Sequence, residues 1–147
     1  MKLVSACLAG FPCRYDGKAK NCPEAMELVR AGKAIPVCPE QLGGLPTPRK
    51  PSERKAGLVV SSEGEDRTAA FTRGAEEALR IAKLYGCEAA VLKERSPSCG
   101  SNGIYDGSFT GAVVNGEGVT AELLRKNGVM VFGESELKEL FAYVRMG

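Results

Sequence analysis

The sequence predicts an α/β fold: a single domain on a mainly parallel sheet of about four core strands, with helices on both faces in a Rossmann-like arrangement. Three observations carry this reading. Short apolar runs alternate with amphipathic segments along the chain. The stretches after the apolar runs are rich in glycine and proline, with 18 and 8 of these residues in all, which puts flexible loops at the C-terminal strand ends. At 147 residues, 44% hydrophobic and 26% charged, the chain has the size and composition of one globular domain that buries its own core.

Each element follows from local signals. Residues 3–6 read as a first strand, entering a loop from Cys7 to Gly17. Asn21 is the expected N-cap of a helix with Pro23 and Glu24 in its first turn, Ala25, Met26, Leu28 and Val29 inward, and Gly32 as its stop. Residues 34–37 form a second strand ended by Cys38-Pro39, and 40–51 hold too much glycine and proline for regular structure. Residues 57–61 read as an edge strand or hairpin. A long helix over 66–85 buries Phe71, Ala75, Ala78, Leu79 and Ala82 and stops at Gly86. Residues 89–92 form the third core strand; after a loop, 109–114 read as a lid or hairpin. Thr120 caps a helix that turns Ala121, Leu123 and Leu124 inward and closes at Asn127-Gly128. Residues 129–132 make the fourth strand and 134–145 a final helix.

Composition narrows the function classes. A net charge of +2 makes no electrostatic case for nucleic acid or a membrane surface. No run approaches the roughly 18 apolar residues of a membrane span, and the apolar stretch at the N-terminus is too short for a signal peptide. The expectation is a cytoplasmic protein without membrane or nucleic-acid partners. In that compartment thiols stay reduced, so six cysteines point to metal or catalysis before disulfides.

Cys7, Cys38 and Cys99 fall at, or shortly after, the ends of three apolar runs. On neighbouring parallel strands they converge on one edge of the sheet, where open α/β folds bind ligands. With no histidine in the chain, this suggests a soft-metal or iron–sulfur site with one open position. A structural zinc site wants four thiolates and close Cys-x-x-Cys pairs, which are missing here. Three isolated thiolates fit a cubane cluster with one iron lacking a protein ligand, an iron able to act as a Lewis acid. Cys13 is the one other candidate ligand; Cys22 and Cys87 are read as bystanders. Beside the thiols, Glu40 is either a proton carrier or a solvated loop carboxylate. Arg49 can pair with an anion or a carbonyl, Gly43-Gly44 permit close backbone approach, and Asp16-Gly17 make a turn. Ser96, Ser98 and the glycines around Cys99 offer hydroxyl and N–H donors, or are a plain Ser/Gly turn.

Together the motifs Val4-Ser-Ala-Cys7-Leu, Arg14-Tyr-Asp-Gly17, Val37-Cys-Pro-Glu40 with Gly43-Gly-Leu45, Pro48-Arg49 through Glu53, Leu92-Lys93, Ser96-Pro-Ser-Cys-Gly100, Ile104-Tyr-Asp-Gly107 and Gly118-Val-Thr-Ala121 carry a resemblance. Over essentially its whole length the chain resembles a small domain-of-unknown-function family that includes the bacterial thiouracil desulfidases. The resemblance implies a 4Fe–4S cluster on Cys7, Cys38 and Cys99 whose fourth iron binds the sulfur of a thiocarbonyl substrate. It implies non-redox exchange of sulfur for oxygen, 2-thiouracil plus water giving uracil and sulfide. Glu40 would deprotonate water or relay a proton, Ser98 and Ser96 would orient substrate or hold sulfide, and Arg49, Gly43, Gly44 and Asp16 would line the substrate side. A free thionated pyrimidine is the expected partner, since thiolated tRNA calls for a larger basic footprint. Two other classes remain open: a non-catalytic iron–sulfur or sulfide carrier, and a cluster-free enzyme with Cys99 as nucleophile. The lack of a histidine base and of a phosphate-loop pattern weighs against the latter.

Overall fold

The computed structural model describes residues 1–137, 139 and 140. In chain order its elements are β1 (Lys2–Ser5), α1 (Pro23–Arg30), β2 (Ala34–Val37), α2 (Pro39–Leu42), β3 (Ser52–Lys55), β4 (Leu58–Ser61), α3 (Thr68–Leu84), β5 (Ala89–Leu92), β6 (Ile104–Tyr105), β7 (Val113–Val114), α4 (Val119–Lys126) and β8 (Met130–Gly133). Short 3-10 turns follow β1 at Ala6–Ala9 and β8 at Glu134–Glu136. The four core strands pair in parallel in the order β2-β1-β5-β8, as an α/β fold requires.

The strands read as apolar runs because both faces of the sheet are covered. Leu3, Val37, Ala90 and Leu92 point to one side, where they pack with Ala78 and Ala82 of α3 and Ala121 and Leu124 of α4. Val4, Ala34, Ala89, Val91 and Phe132 point to the other, against Ala25 of α1 and Leu140. Alanines on α3 and β5 let helix and sheet approach closely, so a modest chain fills its core without large side chains.

Several local expectations shift. Cys22, not Asn21, is the N-cap of α1, because Pro23 occupies N1, a position that needs no backbone N–H. The stretch 40–51 opens with the helical turn α2 for the same reason, Pro39 following Cys38 directly. Residues 57–61 do form half of a hairpin, whose other strand, Ser-Glu-Arg-Lys, has no apolar pattern to announce it. The apolar stretch 109–114 contributes β7 of a second hairpin. Gly118 rather than Thr120 caps α4, and the Thr120 hydroxyl turns inward. The last helix begins with the 3-10 turn at Glu134–Glu136, and residues 141–145 of it lie outside the described residues.

The chain leaves β1 for β2 on one side and later adds β5 on the other. Loops following β1 and β5 therefore part, opening a crevice at the C-terminal edge of the sheet. Among the described residues no helix is long and apolar enough to cross a membrane.

Candidate functional site

Cys7, Cys38 and Cys99 line one cavity of about 410 Å3 at this crevice, and Cys13 joins them. Each arrives by a different device. The 3-10 turn begins as soon as β1 ends and closes at Gly10 with φ of 99°, which holds Cys7 at the strand end. Pro39 starts α2 at once after β2, so Cys38 is its N-cap and the Gln41 N–H is directed at the sulfur. Cys99 sits in a turn in which the Ser96 hydroxyl oxygen accepts the N–H groups of Ser98 and Cys99 at 3.1 and 3.0 Å. All six cysteines are free thiols; Cys22 borders a second cavity and Cys87 lies in the core.

The thiols differ electrostatically. Burial pushes Cys7 up to about 11, with Lys93 pulling the other way. Burial likewise pushes Cys99 up to about 12, partly offset by a hydrogen bond from Ser5. The Ser5 oxygen also accepts the Lys93 N–H at 2.9 Å, which fixes the hydroxyl between the two. Cys38 is lowered to about 7, chiefly by its contact with the Cys13 side chain and against the cost of burial; as a thiol its Sγ donates to the Cys13 carbonyl at 3.8 Å. The same contact, together with burial, pushes the Cys13 thiol up. Of the thiols of Cys7, Cys38 and Cys99, that of Cys38 is thus the one most easily ionised.

Glu40 follows Cys38 into the cavity on the first turn of α2. Its partner Arg49 is 5% exposed and fully employed: Nε donates to Glu40 Oε1 at 3.0 Å, Nη1 to the Pro46 carbonyl at 3.0 Å and Thr47 Oγ1 at 2.9 Å, and Nη2 to the Cys13 carbonyl at 2.9 Å. One side chain therefore ties α2 to the loops carrying Cys13 and Pro46. Burial pushes the Glu40 carboxyl above its ordinary value, while Arg49 opposes the rise. Glu40 Oε2 has no hydrogen bond among the described residues.

Of the expected site residues, Glu40, Arg49, Ser96 and the three cysteines meet on the cavity wall. Four others are placed differently. Ser98 is 0% exposed: its hydroxyl bonds Thr120 at 2.7 Å and its carbonyl accepts the Thr120 and Ala121 N–H groups, so it anchors the start of α4. Gly43 makes room for a helix, since a Cβ there would overlap the Ala70 carbonyl oxygen of α3. Gly44, with φ of 96°, turns the chain out of α2. Asp16 accepts the Lys18 N–H at 3.0 Å in an exposed turn, and its neighbour Tyr15 lines the cavity instead.

Further wall residues had no site role in the sequence reading, although several of them lie in its motifs. Glu53 is buried on β3, its Oε1 accepting the Gly107 and Phe109 N–H groups at 3.0 and 3.1 Å and so fastening the loop of the second hairpin to the first. Glu53 ends the motif that begins at Pro48, but its burial on a polar strand could not be read from that motif. Lys93-Glu94-Arg95 also lines the wall, and a charged triplet directly after a fully apolar strand is a signal that could have been read. Tyr15, Tyr105 and Phe109 supply aromatic surface.

Comparison with known proteins agrees with this geometry. A family model described as 2-thiouracil desulfurase matches residues 3–136. The uncharacterized protein YbbK of Bacillus subtilis (strain 168) is 43% identical over 150 residues, covering 95% of this chain and 99% of its own length. The solved structure of TudS, a 4Fe–4S-dependent thiouracil desulfidase, matches with a TM-score of 0.94 and 48% identity, covering 99% of this chain and 97% of its own. With a family match over nearly the whole chain and the same fold beneath it, the chain belongs to the 2-thiouracil desulfurase family.

Proposed function

We propose that this chain, one domain over residues 1–147, exchanges sulfur for oxygen in a thionated pyrimidine: 2-thiouracil and water give uracil and sulfide. The observation that carries the reading is the convergence of Cys7, Cys38 and Cys99 on one cavity with a half-buried carboxylate, Glu40, among them. The donor set suits a 4Fe–4S cluster. Among the described residues no three histidines, cysteines or acidic groups stand close enough to hold a single metal ion. Three soft thiolates spread around a cavity suit a polynuclear cluster, which takes a separate thiolate at each corner. Two buried thiols held at about 11 and 12 also fit ligands that ionise on binding. Cys13 stands beside Cys38 on the same wall and is not assigned as a ligand in this reading.

When bound, such a cluster offers an iron without a protein ligand, a Lewis acid for the thiocarbonyl sulfur. Everything else falls to the side chains. Glu40, fixed at Oε1 by Arg49, turns its free Oε2 to a water and removes a proton as the oxygen approaches the ring carbon. Arg49 orients that carboxylate and opposes the upward push of burial on it. The Ser96 oxygen accepts two backbone N–H groups, and its own O–H has no acceptor among the described residues, so it is the hydroxyl free to bond substrate or sulfide. Ser98 is spent on Thr120 and has no such role. Tyr15, Tyr105 and Phe109 offer faces for a flat ring. Reduced thiols suit a reducing compartment, and this reading assigns the reaction to the cytoplasm.

The test is anaerobic reconstitution followed by incubation with 2-thiouracil. The account expects cluster absorbance and sulfide release, and a Glu40→Gln variant that keeps the cluster but loses roughly 10²–10⁴ of its turnover. Full activity in Glu40→Gln would remove that residue from the mechanism.

A further inference from the structure

Three carboxylates line the cavity of the cysteines, and their surroundings differ. Glu40 is held by Arg49 at 3.0 Å. Glu94 Oε2 accepts the Ser135 hydroxyl at 2.5 Å, and the Glu94 N–H donates to Glu134 Oε1 at 2.7 Å. Glu53, on β3, is 8% exposed and has no basic partner among the described residues. The basic side chains close to it in sequence pair elsewhere, Lys50 with Glu63 at 3.5 Å and Arg54 with Glu122 at 3.4 Å and the Glu117 carbonyl at 2.6 Å.

Glu53 Oε1 is spent on the fold. It accepts the Gly107 and Phe109 N–H groups of the loop between β6 and β7. Gly107, with φ of 94°, lets that loop lie on β3, since a Cβ there would stand 2.7 Å from Lys55 Cβ and 2.9 Å from the Arg54 carbonyl oxygen. Phe109, held by its bond to Glu53 at φ of 58°, lines the cavity, as Tyr105 does.

Glu53 Oε2 is placed differently. It accepts no hydrogen bond among the described residues. The side-chain oxygens sealed there without a partner are those of Ser101, Glu117 and Glu134, so Glu53 Oε2 keeps an accessible face. Glu53 lies on the cavity wall, and that face opens into the cavity. Pinning the loop does not call for such a group. One amide oxygen would accept both N–H groups, and a glutamine would bury no charge. Burying a carboxylate without a cation beside it is costly unless donors satisfy it. The second oxygen is therefore fitted to an N–H donor that arrives in the cavity.

We propose that Glu53 recognises the substrate, its Oε2 accepting a ring N–H next to the thiocarbonyl. The inference rests on the desulfidase reading above and adds a substrate class to it. 2-Thiouracil has an N–H on each side of its C–S bond, so a group that takes one of them also fixes where the sulfur points. The site accordingly takes cyclic thioamides and thioureas with a free N–H beside the C=S. It rejects those alkylated there, because the buried oxygen is then left without a donor.

Glu53→Gln tests this with little change in shape. The two loop N–H groups draw its amide oxygen to the Oε1 position, which turns its NH2 to the cavity, donor against donor with the ring N–H. In the cluster-loaded protein KM for 2-thiouracil should rise roughly 10–100-fold, with kcat changed far less and with Tm and bound iron at wild-type values. A residue that only pins the loop would leave KM unchanged, or would lower Tm, bound iron and kcat together; either result overturns the proposal. Methylated substrates test the same bond on wild-type protein. Of 1-methyl- and 3-methyl-2-thiouracil, one should show the same rise in KM on wild type and no further rise on Glu53→Gln. Equal KM for the parent and both methylated compounds on wild type, or losses from methylation and mutation that multiply, overturns the proposal while the desulfidase reading stands. No sulfide from any of the three compounds on cluster-loaded wild type overturns that reading and the recognition role with it.

Discussion

Gly74→Ala probes how the fold sets the site, because Gly74 lies within α3 and does not line the cavity. In an exposed helix the change would gain about 1 kcal/mol of propensity. Here a Cβ would overlap the Pro39 carbonyl oxygen and stand 2.8 Å from its carbon and 3.3 Å from the Gly43 nitrogen. Both neighbours are backbone, so no side chain can swing away, and α2 must part from α3 by roughly 1 Å. Overpacking of this kind costs about 1–3 kcal/mol, enough to cancel the propensity gain. At about 2–4 °C per kcal/mol, Tm should fall by a few degrees. The larger effect is on chemistry. α2 is a single turn that begins at Cys38 and carries Glu40, and misplacing a reacting group by about 1 Å can cost roughly 100-fold in rate. The assay is sulfide release per bound cluster, with Tm measured alongside. Gly32→Ala is the control: it strains a φ of 71° but meets no atom within 4 Å, so it should lose stability and keep its rate. Wild-type turnover per cluster in Gly74→Ala would refute the claim that this helix contact positions the site.

Two further predictions concern the thiols and the sheet edge. Alanine at Cys7, Cys38 or Cys99 should abolish bound iron and acid-labile sulfide after anaerobic reconstitution. Cys13→Ala should retain both, and its loss of cluster would make Cys13 a ligand. At the other end of β1, Lys2 Nζ donates to Glu88 Oε1 at 2.6 Å; burial raises the Glu88 carboxyl, but the Lys2 bond and charge outweigh it and hold it below its ordinary value. A depressed carboxyl contributes stability above its unfolded pKa and loses it as pH falls through the folded one. Glu88→Gln should therefore lower Tm modestly at neutral pH, with the gap to wild type closing in acid; a gap that does not change with pH would contradict the assignment.

What could be read from the sequence was what repeats or is punctuated. The core strands announce themselves as apolar runs, α3 by its stripe through Phe71, Ala75, Ala78 and Ala82, and the cluster cysteines by their place after strand ends. What could not be read depends on tertiary partners. β3 is polar because its hairpin sits at the rim, so its sequence resembles a loop. Gly43 looks like a ligand-approach glycine, and only the position of α3 shows that it makes room for a helix. Ser98 and Ser96 are indistinguishable by type and spacing; their hydrogen bonds send one beneath α4 and the other into the cavity. Glu94 and Glu134 are forty residues apart along the chain and meet only because β5 pairs with β8.

The central claim is hydrolytic, non-redox desulfuration at this site. It is tested most directly by incubating cluster-loaded protein with 2-thiouracil in 18O-labelled water under anaerobic conditions, with no electron donor or acceptor. The account predicts uracil carrying one labelled oxygen and an equal amount of sulfide over many turnovers. Uracil without the label, sulfide only when a reductant is added, or bound cluster with no sulfide release would contradict it.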